Sequence, residues 1–235
     1  MSPEYIPLVL IPGLLCTAEL WAPQIAGLSD LARISIADHG VADDMAGIAR
    51  AILAAAPARF ALAGLSMGGA IALAIVREAP ERVLKLALLD TTASPDSEDI
   101  RNARRFYIDL ARSGRFEEIT PNYLVQRLMH PDRLADGPLV EVILRMARET
   151  GVEVFIRQES AILHRPDGRP GLGAIPCPTL VIVGDHDVIT PPERAREIAS
   201  AIPNSRLEII AGCGHLSTLE RPEAVTACLR QWLAP

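Results

Sequence analysis

The sequence has little lysine and few aromatic residues. Lys85 is its only lysine, and Phe, Trp and Tyr together make up 4% of the 235 residues. The basic residues are therefore almost all arginine, and acidic residues outnumber them, so that the net charge is −6. A negative net charge argues against nucleic acid or an anionic membrane surface as a partner.

Cysteine is also scarce, and the four cysteines contain no Cys-x-x-Cys pair: Cys16, Cys177, Cys213 and Cys228. Thiols this far apart are typical of a reduced cytosolic protein and not of a disulfide framework or a zinc site. The apolar stretch 6–16 has no preceding Lys or Arg, and Pro7 and Pro12 interrupt it, so it predicts neither a signal peptide nor a membrane span. We expect a cytoplasmic protein.

Short apolar runs alternate with helical patterns along most of the chain. The runs predict strands at 5–11, 32–37, 60–63, 84–89, 179–183 and 207–210, and the patterns predict helices at 19–28, 43–56, 67–79, 192–201 and 222–233. Nearly continuous Val, Ile and Leu runs indicate a parallel sheet that is buried on both faces. The sequence therefore predicts an α/β fold with a doubly wound, mostly parallel sheet of about six strands.

One long segment contains only helical patterns. Between residues 93 and 173 no strand-like run occurs, and segments rich in Pro, Gly, Ser and Asp border this block. We predict an α/β core formed by residues 1–92 and 174–235, with residues 93–173 inserted as a helical cap. Such a cap lies over the carboxyl ends of the strands, the usual ligand-binding edge of these folds.

The most informative stretch is Gly64-Leu65-Ser66-Met67-Gly68, between a predicted strand and a predicted helix. Gly-x-Ser-x-Gly in that position is typical of a nucleophile elbow, a tight turn that exposes a serine hydroxyl. The N-terminus of the following helix adds backbone N–H groups beside that hydroxyl. Ser66 is the candidate nucleophile.

A serine hydroxyl needs a base that takes its proton and a third group that orients the base. The last two predicted strands are followed by loops that supply both, Gly184-Asp185-His186-Asp187 and Gly214-His215. His215 is the candidate base. Asp187, Asp185 and Asp90, which follows the run 84–89, are all candidates for the acid.

With these motifs the chain resembles the α/β-hydrolase superfamily along essentially its whole length, and in particular bacterial carboxylesterases and 3-oxoadipate enol-lactonases. The resemblance implies Ser66, Asp187 and His215 as the catalytic triad, with the Leu14 and Met67 backbone N–H groups as oxyanion donors. It implies no metal and no organic cofactor. Two family features are missing: two N-terminal strands, and the histidine that usually precedes the glycine where this chain has Pro12-Gly13.

The resemblance implies hydrolysis of a small carboxylic ester or lactone. Carbon–carbon bond hydrolysis and perhydrolysis use the same three residues and stay open, as does a ligand-binding sensor on a hydrolase scaffold. An arginine directed from the cap into the pocket would favour a substrate that carries a carboxylate, and Arg157, Arg165 and Arg169 are candidates. The sequence defines neither the substrate-binding residues nor the oligomeric state.

Overall fold

A computed structural model describes residues 5–234. Its six strands are β1 (Ile6–Ile11), β2 (Ala32–Ile36), β3 (Phe60–Leu65), β4 (Val83–Leu89), β5 (Thr179–Gly184) and β6 (Ser205–Ile210). Within that range they form one sheet in the order β2-β1-β3-β4-β5-β6, and all neighbours are parallel. The predicted doubly wound parallel sheet of about six strands is confirmed.

Burial along the strands explains their composition. All six residues of β3 and all six of β5 are buried, since these strands have a neighbour on each side and helices on both faces. The two edge strands instead contain polar residues among the apolar ones, such as Arg33 in β2 and Glu208 in β6. Charged residues on an exposed edge also discourage pairing with another chain.

Helices cover both faces of the sheet and continue between β4 and β5. The α-helices are α1 (Ala22–Leu28), α2 (Met45–Ala55), α3 (Met67–Glu78), α4 (Glu98–Leu110), α5 (Val125–Leu128), α6 (Gly137–Thr150), α7 (Val152–Leu163), α8 (Pro192–Ala201), α9 (Ser217–Glu220) and α10 (Pro222–Leu233). Helices α2, α3 and α8 pack on one face. Helices α1 and α10 pack on the other, where Trp21 and Trp232 are both buried.

Residues 98–163, the helical segment, lie between β4 and β5 and contain α4 to α7 without a strand. Two π-helical turns, Ala111–Arg115 and Thr120–Leu124, lie between α4 and α5. The segment has its own apolar cluster around Phe155 and Ile119, and Leu15 from the loop after β1 packs into it. This loop is therefore held between the sheet and the helical segment.

The sheet topology fixes where a site can form. The strand order reverses between β1 and β3, and the loops that follow these strands separate there at the carboxyl edge. Such a switch point is the usual ligand-binding crevice of open α/β sheets. None of the helices between residues 5 and 234 has the length and hydropathy that crossing a bilayer requires.

Candidate active site

Ser66 lies in the turn between β3 and α3. Its backbone (φ 56°, ψ −116°) is in a region that residues other than glycine rarely adopt. Two hydrogen bonds stabilise this turn: the Ser66 N–H donates to Leu89 O at 2.9 Å, and Thr91 Oγ1 donates to Ser66 O at 2.7 Å. A Cβ atom on Gly64 would lie 2.2 Å from the Gly68 carbonyl oxygen. Glycine at position 64 therefore permits the close approach of strand and helix that exposes the serine.

Asp187 and His215 follow β5 and β6, whose carboxyl ends are adjacent. The two loops pack backbone against backbone, because a Cβ atom on Gly184 would lie 2.1 Å from the Gly214 carbonyl oxygen. Both side chains are buried, with 2% of each residue exposed. The side chains of Asp187 and His215, which are 28 positions apart in the sequence, are thus brought next to each other.

The three predicted triad residues form a continuous hydrogen-bonded chain. His215 Nε2 lies 2.8 Å from Ser66 Oγ, and His215 Nδ1 lies 2.8 Å from Asp187 Oδ2. The Asp187 carboxylate also accepts the Thr190 hydroxyl at 2.7 Å and the Ile189 and Thr190 N–H groups, both at 2.9 Å. The carboxylate is therefore fixed, and it orients the imidazole towards the serine.

The other two candidate acids make different contacts. Asp185 accepts the Cys213 N–H at 3.0 Å and so joins the two loops. Asp90 is fully buried, and it accepts the Gly184 N–H at 3.0 Å and the Ser217 hydroxyl. Burial, together with the charge of Asp187, raises the pKa of Asp90 to about 8. Asp187 is the carboxylate that contacts the imidazole.

Burial and charge act in opposite directions on the Asp187–His215 pair. Burial by itself lowers the pKa of His215, but the Asp187 carboxylate outweighs it, and the net pKa is raised above the ordinary value of 6.5. For the Asp187 carboxylate, burial raises the pKa. The imidazolium charge and the hydrogen bonds lower it by more, so that the net pKa is below 3.8. Asp187 is thus ionised near neutral pH and stabilises a positive charge on His215.

The two predicted oxyanion donors lie on either side of Ser66. Leu14 follows β1, and Met67 is the first residue of α3, where an N–H has no partner within the helix. Among residues 5–234, the Leu14 N–H likewise has no hydrogen-bond acceptor. Leu14, Ser66, Met67 and His215 all line one cavity of about 590 Å³. The two residues predicted as oxyanion donors thus line the same cavity as the serine and the histidine.

The helical segment supplies part of the walls of this cavity, and the surface of the lining is mostly apolar. Apolar lining residues from that segment include Ile100, Ala103, Tyr107, Leu124, Ile143, Met146 and Ile162. The Cys16 thiol also lines the cavity, but burial raises its pKa to about 12, so it stays protonated. Within the described chain, no three His, Cys, Asp or Glu side chains are grouped to hold a metal ion.

Five arginines line the cavity: Arg104, Arg127, Arg165, Arg169 and Arg194. All but Arg127 form an ion pair with a carboxylate of the described residues. Arg104 bonds to Asp96 at 2.6 Å and to Glu159 at 2.7 Å, and Arg165 bonds to Asp96 at 2.6 Å. Of the arginines considered from the sequence, Arg165 belongs to this buried cluster. Arg169 pairs with Asp167 near the surface, and Arg157 donates to the Gly40 carbonyl at 2.7 Å.

Sequence reasoning missed several polar side chains that hold the site together. His130 is buried, and its N–H donates to Glu220 at 2.7 Å. Glu220 also accepts the Gly214 N–H at 2.9 Å, next to His215. His39 is buried with Nε2 at 2.9 Å from Gly13 O. The contacts of His130 and His39 join positions far apart in the sequence, and no local pattern signals them.

The family assignment follows from a comparison of the whole chain with known proteins. A family model described as "Alpha/beta hydrolase family" matches residues 7–227. The chain belongs to the alpha/beta hydrolase family. It is therefore a hydrolase, as the nucleophile elbow predicted.

Relatives of this hydrolase include esterases and a lactonase. The structure of a thermophilic esterase from Thermogutta terrifontis superposes with a TM-score of 0.88 at 32% identity, over 97% of this chain and 89% of that one. The enol-lactonase from Burkholderia xenovorans gives 0.87 at 26% identity, over 99% and 93%. A pimeloyl-acyl-carrier-protein methyl ester esterase from Nitrosomonas europaea is 27% identical over 94% of this chain and 93% of its own length.

Proposed function

We propose that this hydrolase cleaves a small carboxylic ester or lactone through an acyl-enzyme on Ser66. The observation that carries the proposal is the hydrogen-bonded chain Ser66–His215–Asp187, with both links at 2.8 Å, in a mostly apolar cavity. A base within hydrogen-bond distance of the hydroxyl, itself oriented by a carboxylate, is the arrangement that activates a serine.

In the proposed mechanism, His215 Nε2 accepts the proton of Ser66 Oγ as that oxygen attacks the carbonyl carbon. Asp187 stabilises the resulting imidazolium and holds its Nδ1–H. The Leu14 and Met67 N–H groups donate to the negative oxygen of the tetrahedral intermediate, and each such donor contributes on the order of 3 kcal/mol. The imidazolium then protonates the leaving alcohol. A water molecule activated by His215 hydrolyses the acyl-enzyme.

Two of the five arginines that line the cavity are not free to bind a substrate carboxylate. Arg104 and Arg165 reach the lining, but each is already paired with a carboxylate, Asp96 or Glu159. A substrate carboxylate would have to compete with these buried pairs. The relatives named as esterases and as an enol-lactonase support an ester or a lactone as the substrate class.

The proposal is tested by measuring hydrolysis of p-nitrophenyl acetate, butyrate and octanoate at pH 7 to 8. We expect saturable turnover that Ser66→Ala removes. Tight binding of an ester with no turnover above that of Ser66→Ala would instead identify a ligand-binding sensor on the hydrolase scaffold.

The same assay gives a chain-length prediction. A cavity of about 590 Å³ is within the range of roughly 300–1,000 Å³ that is typical of small-molecule sites. Each CH2 group buried against an apolar wall contributes up to about 0.8 kcal/mol. We therefore expect kcat/KM to rise by about 10-fold from acetate to butyrate, with octanoate still hydrolysed. A steady fall from acetate to octanoate would show that the acyl group does not enter this cavity.

The charge state of His215 predicts the pH dependence. Only the neutral imidazole accepts the Ser66 proton, and the Asp187 carboxylate raises the pKa of His215 above 6.5. We expect log kcat/KM to fall with a slope near one as the pH decreases through that raised pKa. A profile that stays flat well below pH 6.5 would contradict the assignment of His215 as the base.

We also propose that residues 93–173 act as a cap on a core of residues 1–92 and 174–235. The apolar lining that α4, α6 and α7 contribute to the cavity supports this division. The proposed partner is a small-molecule substrate, with neither nucleic acid nor membrane surface involved.

A further inference from the structure

The loop after β1 makes a tight turn at Leu14 and Leu15, which the Cys16 N–H closes by donating to Gly13 O at 3.2 Å. Leu15 has a φ of 57°, which residues other than glycine rarely adopt. The C=O and N–H of a planar trans peptide point in opposite directions. The orientation of the Leu14 N–H, a proposed oxyanion donor, therefore depends on what binds the carbonyl of Gly13 and on how the following Leu14–Leu15 peptide is held in the turn.

Two groups hold that carbonyl. His39 Nε2 lies 2.9 Å from Gly13 O, and the Cys16 N–H donates to the same oxygen at 3.2 Å. Because a carbonyl oxygen only accepts, the histidine makes this bond in the tautomer that carries its proton on Nε2. Both partners lie opposite the Leu14 N–H, which leaves that donor directed away from them.

The next peptide group is held by a residue of the helical segment. Gln158 Oε1 accepts the Leu15 N–H at 3.1 Å, across 143 positions of sequence, and the Cys16 thiol donates to Leu14 O at 3.3 Å on the opposite side. The Gln158 side chain is fully buried. Its amide nitrogen lies 3.0 Å from His39 Nε2, but the two make no hydrogen bond in the tautomer that donates to Gly13 O, because both nitrogens then carry hydrogen. Both peptide groups that flank the Leu14 Cα therefore have polar partners.

Helix α7 makes this contact from a fixed position. Arg157, the preceding residue, donates to the Gly40 carbonyl at 2.7 Å, and Val154 packs against Gly40. Phe155 shares an apolar cluster with Leu15 itself. A buried amide is favourable only when it is hydrogen-bonded, so the Leu15 N–H and Gln158 satisfy each other.

We propose that Gln158 is a positioning residue of the oxyanion hole: it orients the Leu14–Leu15 peptide, and with it the Leu14 N–H, from the helical segment. This inference rests on the proposed acyl-enzyme chemistry of Ser66. Gln158 acts through the backbone and does not contact the reacting atoms.

The test compares Gln158→Leu, which removes the acceptor, with Gln158→Glu, which keeps it. Arg157→Met is the control for the anchoring of α7: it removes the 2.7 Å bond from the same helix to Gly40 but leaves the Gln158 acceptor in place. We expect Gln158→Leu to lower kcat on p-nitrophenyl butyrate by about 10- to 100-fold, less than the loss of a whole oxyanion donor, with KM changed by less than about threefold. Gln158→Glu and Arg157→Met should stay within about fivefold of the wild type.

A second readout separates positioning from general packing. An alkyl trifluoromethyl ketone adds to an activated serine and develops a negative oxygen in the oxyanion hole. Its inhibition constant should rise across the variants by the same factor as kcat/KM falls. If Gln158→Leu does not fold, Gln158→Met keeps the chain length and removes the amide acceptor.

Three results would overturn the inference. These are a Gln158→Leu kcat equal to that of the wild type, a loss equal to that of Arg157→Met, or a loss confined to KM with unchanged inhibition by the ketone. Failure of the proposed function itself would be recognised separately, by wild-type turnover that survives Ser66→Ala.

Discussion

Ser66→Ala is expected to lower kcat for ester hydrolysis by about four to six orders of magnitude. The Ser66 hydroxyl is the group that contacts His215 Nε2 and attacks the substrate. Without it, the oxyanion donors and substrate binding are the remaining sources of rate acceleration. The measurement is steady-state hydrolysis of p-nitrophenyl butyrate at pH 7.5, with active-site titration of the wild type.

The control for this variant is its fold. Alanine at position 66 removes one oxygen and keeps the backbone bonds to Leu89 and Thr91. Its thermal unfolding temperature should therefore stay the same or increase slightly, since the strained turn no longer carries a reactive side chain. If Ser66→Ala is well folded and retains more than a tenth of the wild-type kcat, the nucleophile has been assigned wrongly.

Asp187→Asn is expected to lower kcat at neutral pH by about 10⁴-fold. An asparagine cannot stabilise the imidazolium, and its amide can hold His215 in the wrong tautomer. Because the Asp187 carboxylate is what raises the pKa of His215, the acid limb of the remaining activity should also shift to lower pH. Both effects are read from one pH profile of kcat/KM.

Asp90→Asn is the matched control, since Asp90 is the other buried carboxylate near the histidine. Its raised pKa of about 8 keeps it mostly protonated at neutral pH, so an amide resembles its native state. We expect Asp90→Asn to retain most of the activity, provided that its bonds to Gly184 and Ser217 are kept. The reverse result, a large loss for Asp90→Asn and a small one for Asp187→Asn, would move the acid to β4.

Much of the fold was predictable because the chain alternates between two clear periodicities. The runs that predicted β3 and β5 consist almost only of apolar residues, since both faces of these strands are covered. The helices Pro192–Ala201 and Pro222–Leu233 were predicted correctly because a proline marks the start of each. The edge strand β6 was predicted two residues too short. Its first two residues, Ser205 and Arg206, are polar because an edge strand is partly exposed.

The triad geometry was predictable for a local reason. Ser66, Asp187 and His215 each lie in the turn or loop that follows a strand, and parallel strands bring their carboxyl ends to one edge. The roles of these residues in catalysis stay predictions until the variants above are measured.

Most of the supporting contacts were not predictable, because they depend on how distant parts of the chain pack together. Gln158 lies on a helix whose periodicity indicates only an apolar face, and nothing near it identifies Leu15 as its partner. The pairing of Arg104 with Asp96 and Glu159 depends on how α4 and α7 pack, which composition does not define. Long-range polar contacts of this kind follow from tertiary structure alone.

The most direct test of the account is to trap the acyl-enzyme analogue on the nucleophile. The protein is incubated with diethyl p-nitrophenyl phosphate, which phosphorylates an activated serine, and is then digested with trypsin and analysed by mass spectrometry. The account predicts stoichiometric modification of the peptide 60–77, which contains Ser66 between the cleavage sites after Arg59 and Arg77, together with complete loss of esterase activity and no modification of Ser66→Ala. Loss of activity with the modification on any other residue, or unmodified Ser66 in an active enzyme, would contradict it.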